Sequence, residues 1–161
     1  EKQFKEVARL IKKERIHSII LYFLDLNNIS RGKIVDSDYF LKNINPGFSL
    51  DYYSLAQTLT GEMIDAPGII PDVSGNMRMI PELSTFKVLT PKPGYAIVFV
   101  DLFWKDFTAI CFYPRNKIKE LLKDYEDMGI YPLAGIELEF SLKRINHKDR
   151  INRPYSIKSL A

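Results

Sequence analysis

Ser18-Ile19-Ile20-Leu21-Tyr22-Phe23-Leu24-Asp25-Leu26 is apolar at almost every position. A strand with one wet face alternates apolar and polar residues, so a run this apolar on both faces belongs in the middle of a sheet. Asn27-Asn28 then marks a reversal, because Asn tolerates the left-handed backbone that tight turns need. A return strand follows through Gly32-Lys33-Ile34-Val35. Further on, Ala96-Ile97-Val98-Phe99-Val100-Asp101-Leu102-Phe103 repeats the two-faced apolar pattern and is predicted to be the second central strand.

Working outward, Phe4, Val7, Ala8 and Ile11 make the i, i+3, i+4, i+7 stripe of an amphipathic first helix. Asp36-Ser37-Asp38 supplies an N-cap for a short helix through Tyr39, Phe40 and Leu41, which Asn45-Pro46-Gly47 stops. From Thr60 to Pro81 the chain reads as irregular, since Gly61, Pro67, Gly68, Pro71, Gly75 and Pro81 deny it a continuous helix or long strand. Strand-like runs at 85–90 and 95–103 flank the turn signal Pro91-Lys92-Pro93-Gly94. A helix is predicted from Pro114, with Ile118, Leu121, Leu122, Tyr125 and Met128 as its stripe and Gly129 as its C-terminal cap.

Leu133-Ala134-Gly135-Ile136-Glu137-Leu138-Glu139-Phe140-Ser141-Leu142 alternates strictly, which predicts a strand with Glu137 and Glu139 on one face. At ~3.3 Å of rise per residue these carboxylates lie about 6–7 Å apart. They repel each other unless a cation sits beside them. Pattern alone describes a half-buried strand with a solvated acidic face. Strands outnumber helices up to residue 113, after which a helix-then-strand unit begins. That order predicts an α+β first domain over residues 1–108, and a second domain that opens within 109–161 and is not completed.

The 161 residues suffice to bury a core, and 46% hydrophobic with 27% charged residues is ordinary globular composition. No apolar run reaches the ~20 residues a membrane helix needs, and no secretory leader is visible. Cys111 is the sole cysteine and His17 and His147 the only histidines, which excludes an internal disulfide and leaves too few ligands for a Cys/His zinc site. A formal charge of +3, with basic residues clustered only at the two ends, comes without a nucleic-acid module. Neither Gly-rich phosphate loop occurs. These features predict a cytoplasmic protein that binds neither nucleic acid nor membrane.

Four segments, in order, resemble the glutamine synthetase family. Asp25-Leu26-Asn27-Asn28-Ile29-Ser30-Arg31-Gly32-Lys33 is similar to its D-L-N-G-x-x-R-G-K turn, and Met77-Arg78-Met79-Ile80-Pro81-Glu82-Leu83-Ser84-Thr85 to M-R-L-x-P-D-x-S-T. Pro114-Arg115 resembles the family's P-R helix start, and Gly135-Ile136-Glu137-Leu138-Glu139-Phe140 its G-x-E-x-E-F strand. The resemblance implies a β-grasp N-terminal domain followed by the first helix and strand of a catalytic domain. It implies an ATP-dependent ligase that joins ammonia or an amine to glutamate through a γ-glutamyl phosphate. Two divalent metals, Mg²⁺ or Mn²⁺, would have Glu137 and Glu139 among their ligands. It further implies a homo-oligomeric ring with active sites between subunits, where a loop Asp helps bind and deprotonate ammonium.

The corresponding loop reads Gly61-Glu62-Met63-Ile64-Asp65-Ala66-Pro67-Gly68, with Asp65 the nearest counterpart of that Asp. Asn76 and Glu82 stand where the family carries Asp. A missing carboxylate weakens ammonium binding, so an organic amine acceptor, or a catalytically inactive binding or regulatory module, are alternative expectations. On its own, the chain is not expected to turn over.

Overall fold

The computed structural model describes residues 1–55, 57–58, 60–62, 76–140, 143–144 and 153–154. Helix α1 (Lys2–Lys13) leads into β1 (Ser18–Leu24) and β2 (Ser30–Asp36); α2 (Ser37–Asn43) and β3 (Phe48–Asp51) follow. After β4 (Asn76–Pro81) come the short β5 (Lys87–Val88), the long β6 (Tyr95–Phe103) and α3 (Pro114–Asp127). Two-residue strands β7 (Lys143–Arg144) and β8 (Arg153–Pro154) pair with each other. The main sheet runs β2-β1-β6-β4-β3, with β5 also on β6. It is mixed: β1 lies parallel to β6, and the other pairs are antiparallel.

Both runs read as central strands are central, and the reason is visible in their alternation. Ile19, Leu21 and Phe23 of β1, Ala96, Val98, Val100 and Leu102 of β6, and Met77 and Met79 of β4 point to one face and are almost wholly inaccessible. Val7 and Ile11 of α1 and Phe40 of α2 join the same core. Burying each large side chain of this kind stabilises the fold by roughly 1.5–3 kcal/mol before conformational entropy is set against it. On the opposite face Ile20, Tyr22 and Ile97 are half-buried, and Phe99 and Ile34 are exposed.

Local signals account for the connections. Asn28 adopts φ +61° in the β1–β2 turn. Asp36 caps α2 by accepting hydrogen bonds from the backbone N–H groups of Asp38 and Tyr39. Pro114 sits in the first turn of α3, and Gly129 beyond its end takes φ +71°.

Three expectations need correction. Residues 76–81, inside the stretch read as irregular, form β4, because Met77 and Met79 alternate into the core and Pro81 falls at the strand end. The run at 85–90 keeps only Lys87–Val88 as strand, since a 3-10 turn occupies Leu83–Thr85. The described part of the 133–142 strand, residues 133–140, is not a strand. Leu133 is 100%, Ile136 91%, Leu138 83% and Phe140 78% exposed. A strand is held by ladder hydrogen bonds to a neighbour, and no described strand runs beside this one. The α3 stripe shares that condition: none of its residues is buried. No helix among the described residues is long and apolar enough to cross a membrane.

Candidate functional site

The first motif folds into a closed turn at the end of β1. Asp25, 2% exposed, is the one buried polar or charged residue among those described. Its Oδ1 accepts from the backbone N–H of Asn27 and of Ile29, each at 2.9 Å, and its Oδ2 accepts from Arg31 Nε at 2.9 Å. A buried carboxylate is costly unless paired and hydrogen-bonded, and here both oxygens are used. Gly32 completes the motif, because a Cβ at this position would lie 2.5 Å from the Leu21 carbonyl oxygen. Asp25, Arg31 and Gly32 therefore hold the hairpin, and their paired groups leave no free acid, base or nucleophile.

The second and third motifs meet in space. The β4 strand ends at Pro81, and the following turn is tied by Ser84 Oγ donating to Glu82 Oε1 and Thr85 Oγ1 donating to the Glu82 carbonyl. That turn presents Glu82 Oε2 to Arg115 Nη2 and to Lys119 Nζ at 2.7 Å. From β6, Asp101 accepts from Arg115 Nε at 2.8 Å and from Lys119 Nζ. Two cations one helical turn apart on α3 thus each bridge the same two carboxylates of the sheet. The hydrogen bond from Lys119 chiefly holds the Glu82 carboxyl below its ordinary range; burial opposes this, and Ser84 and the Arg115 charge assist. For Lys119 and Arg115 burial works against the charge, but hydrogen bonds and attraction from Asp101 and Glu82 outweigh it and raise both.

Beside this cluster a cleft of about 390 Å³ opens between α3 and the sheet. Leu24, Phe99, Tyr113, Pro114, Ile118 and Leu122 form its apolar wall. Burial pushes the Tyr113 hydroxyl up to about 12, so it stays protonated at neutral pH. With every charge of the cluster engaged by another, the cleft offers apolar contact and no reactive group of its own.

The residues read as metal ligands lie elsewhere. Glu137 and Glu139 are exposed, and neither forms an ion pair among the described residues. Those residues hold no group of three or more His, Cys, Asp or Glu that could bind a metal ion. Carboxylate oxygens suit hard divalent cations in kind, but two fall short of the six or so ligands such ions take. Asp65 lies outside the described residues. Asn76 pairs with Asp51 through the sheet. The motifs flagged Asp25, Glu82 and Arg115 but did not reveal that Asp25 is tied to Arg31 and Glu82 to Arg115. Asp101 and Lys119 went unflagged, although a lone acid inside an otherwise apolar strand, as at Asp101, was a readable signal for a paired charge.

No protein-family model matches the chain. It is 28% identical over 145 residues to a glutamine synthetase of Thermotoga maritima, a match covering 88% of this chain and 30% of that protein. It is also 28% identical over 149 residues to a glutamate–isopropylamine ligase of a Pseudomonas species, covering 88% of this chain and 32% of that one. Among solved structures, a GmaS–ADP complex superposes with a TM-score of 0.61 at 16% identity, over 75% of this chain and 25% of that one, a likeness of fold. These relatives are carbon–nitrogen ligases by name. The chain is similar in sequence to a glutamine synthetase and to a glutamate–isopropylamine ligase, and it spans about a third of the length of the curated relatives it matches.

Proposed function

We propose that this chain is the N-terminal portion of an ATP-dependent glutamate–ammonia or glutamate–amine ligase acting through a γ-glutamyl phosphate. The observation that carries the reading is the match over 88% of the chain to two ligases of this type, one named for ammonia's product and one for an amine. The mixed sheet crossed by helices agrees with a β-grasp-like domain over residues 1–108. Residues 109–161 would open the catalytic domain, joined by a connection whose Ile110 and Tyr113 still pack on the first core. An exposed α3 stripe and an exposed apolar row in 133–140 are what such an opening would present before the rest of its domain covers them.

In this reading Glu137 and Glu139 contribute oxygen ligands to Mg²⁺ or Mn²⁺. The ions, when bound, neutralise phosphate charge and orient ATP and glutamate. Asp65 would approach the amine from the loop of a neighbouring subunit in a ring, and the protein would reside in the cytoplasm. The acceptor is ammonia or an organic amine; Asn76, where the family carries Asp, lacks a carboxylate that could bind ammonium and so favours the amine.

The test is ADP release by the full-length protein with glutamate and either ammonia or a panel of amines. Activity is expected with at least one acceptor, and E137Q or E139Q should lower it by about 10²–10³-fold, the equivalent of several kcal/mol of charge stabilisation. Undiminished turnover in both variants would remove the metal-ligand assignment. No ADP release with any acceptor would favour the inactive binding or regulatory module.

A further inference from the structure

We infer that Glu82, Asp101, Arg115 and Lys119 are positioning residues: together they set the direction in which α3 leaves the first sheet, and so where Glu137 and Glu139 stand relative to it. This deepens the proposed function and rests on it for the role of those two carboxylates. The contacts that carry it are made in the structure and do not depend on what else covers the helix. The start of α3 is pinned by the first core. Ile110 and Tyr113 are buried there, and Asn116 Nδ2 donates to the Leu102 carbonyl at 2.8 Å and to the Ile110 carbonyl at 3.3 Å. A pinned start fixes where a helix begins but leaves its axis free to tilt.

The four charges fix the axis. Glu82 stands at the corner after β4 and Asp101 within β6, so the acids come from different parts of the sheet. Arg115 donates through Nε to Asp101 at 2.8 Å and through Nη2 to Glu82, so one planar fork spans both acids. One turn on, about 6 Å along the axis, Lys119 reaches the same pair. Leverage makes the second anchor matter. The 14 residues of α3 form a rod of about 21 Å, and a tilt of ~10° about its start carries the far end about 3–4 Å. The chain runs from that end through Gly129 to Glu137 and Glu139. A misplacement of ~1 Å at a reacting centre can cost ~10² in rate. Further chain packed on the α3 stripe would hold the helix within its own domain; the ion pairs relate it to the sheet.

The full-length protein tests this in two ways. With Cys111→Ser as background, nitroxides at the exposed positions Lys87→Cys on β5 and Asp127→Cys at the far end of α3 report the helix direction through the distance between them. Labelled subunits are diluted with unlabelled ones, so that distances within one subunit are read. The background should give a single narrow distance, and E82Q/D101N should widen the distribution at least ~2-fold or shift its mean by about 3 Å or more. R115K keeps the charge but loses the fork, so kcat for ADP release should fall at least ~10-fold while KM for ATP and for glutamate stays within ~2-fold. Unchanged distances in both variants overturn the inference, and so does an undiminished kcat in R115K. If E82Q/D101N does not fold, R115K alone carries the distance measurement. An unaltered protein without ADP release would sink the proposed function instead; the distances, which need no turnover, would still decide whether the four charges set the helix direction.

Discussion

The strands β1 and β6, apolar at nearly every position, and the stretch from α3 to Phe140, apolar at a clear period, meet opposite fates. Alternate residues of β1 and β6 are almost fully buried, whereas Ile118, Leu121, Leu122, Ile136, Leu138 and Phe140 are all exposed. The difference shows that a period identifies a surface built to be covered, and not what covers it. In the first region the cover is supplied by α1, α2 and the neighbouring strands. In the second, polar contacts position the helix and no described element packs on the stripe.

The contrast is broken or sharpened most strongly at the core. Phe23→Ala should destabilise the protein by about 3–5 kcal/mol in urea unfolding, as expected for a fully buried aromatic. A loss below ~1 kcal/mol would mean that the sheet's buried face is not its main support. Next in size is the clamp of the first hairpin. Asp25→Ala orphans two backbone N–H groups and the Arg31 guanidinium and should cost about 1–3 kcal/mol. Asp25→Asn, which keeps an acceptor, should recover part of that loss in the same assay.

Smaller still is the pH effect of the α3 anchors. Because the Glu82 carboxyl titrates lower in the folded protein than when unfolded, the folded state binds fewer protons there. Its contribution is therefore fully present above the ordinary Glu value of ~4.3 and disappears as pH falls through the lowered folded value. The stability difference between the protein and E82Q should be largest near neutrality and vanish in acid. A difference that grows on acidification would reverse the assigned sign. The smallest effect is expected from Leu121→Ala in this chain, within ~0.5 kcal/mol, since the side chain is half-exposed. A cost of 2 kcal/mol or more would show α3 to be packed after all.

Much of the fold was legible because its signals are local. The Asn27-Asn28 reversal, the Asp36 cap, Pro114 in the first turn of α3 and Gly129 beyond its end are each decided by a few neighbouring residues. β3 and β4 were not legible. The four residues Phe48–Asp51 are too short for a period, and β4 gains its regularity from lying between β3 and β6. Of the candidate site, the sequence motifs contained Asp25, Arg31, Glu82 and Arg115. They did not reveal that Glu82 and Arg115, 33 residues apart, share an ion pair.

By itself, then, the sequence determined which residues turn, cap, alternate and repel, because those properties depend on backbone preferences and charges close together in the chain. Only the tertiary structure decided that β1 runs parallel to β6, that Asp101 and Glu82 share Arg115 and Lys119, and that the Glu137 segment lies unpaired among the described residues. Pairing across distant segments depends on which surfaces remain uncovered after local structure has formed, and no short window of residues contains that information.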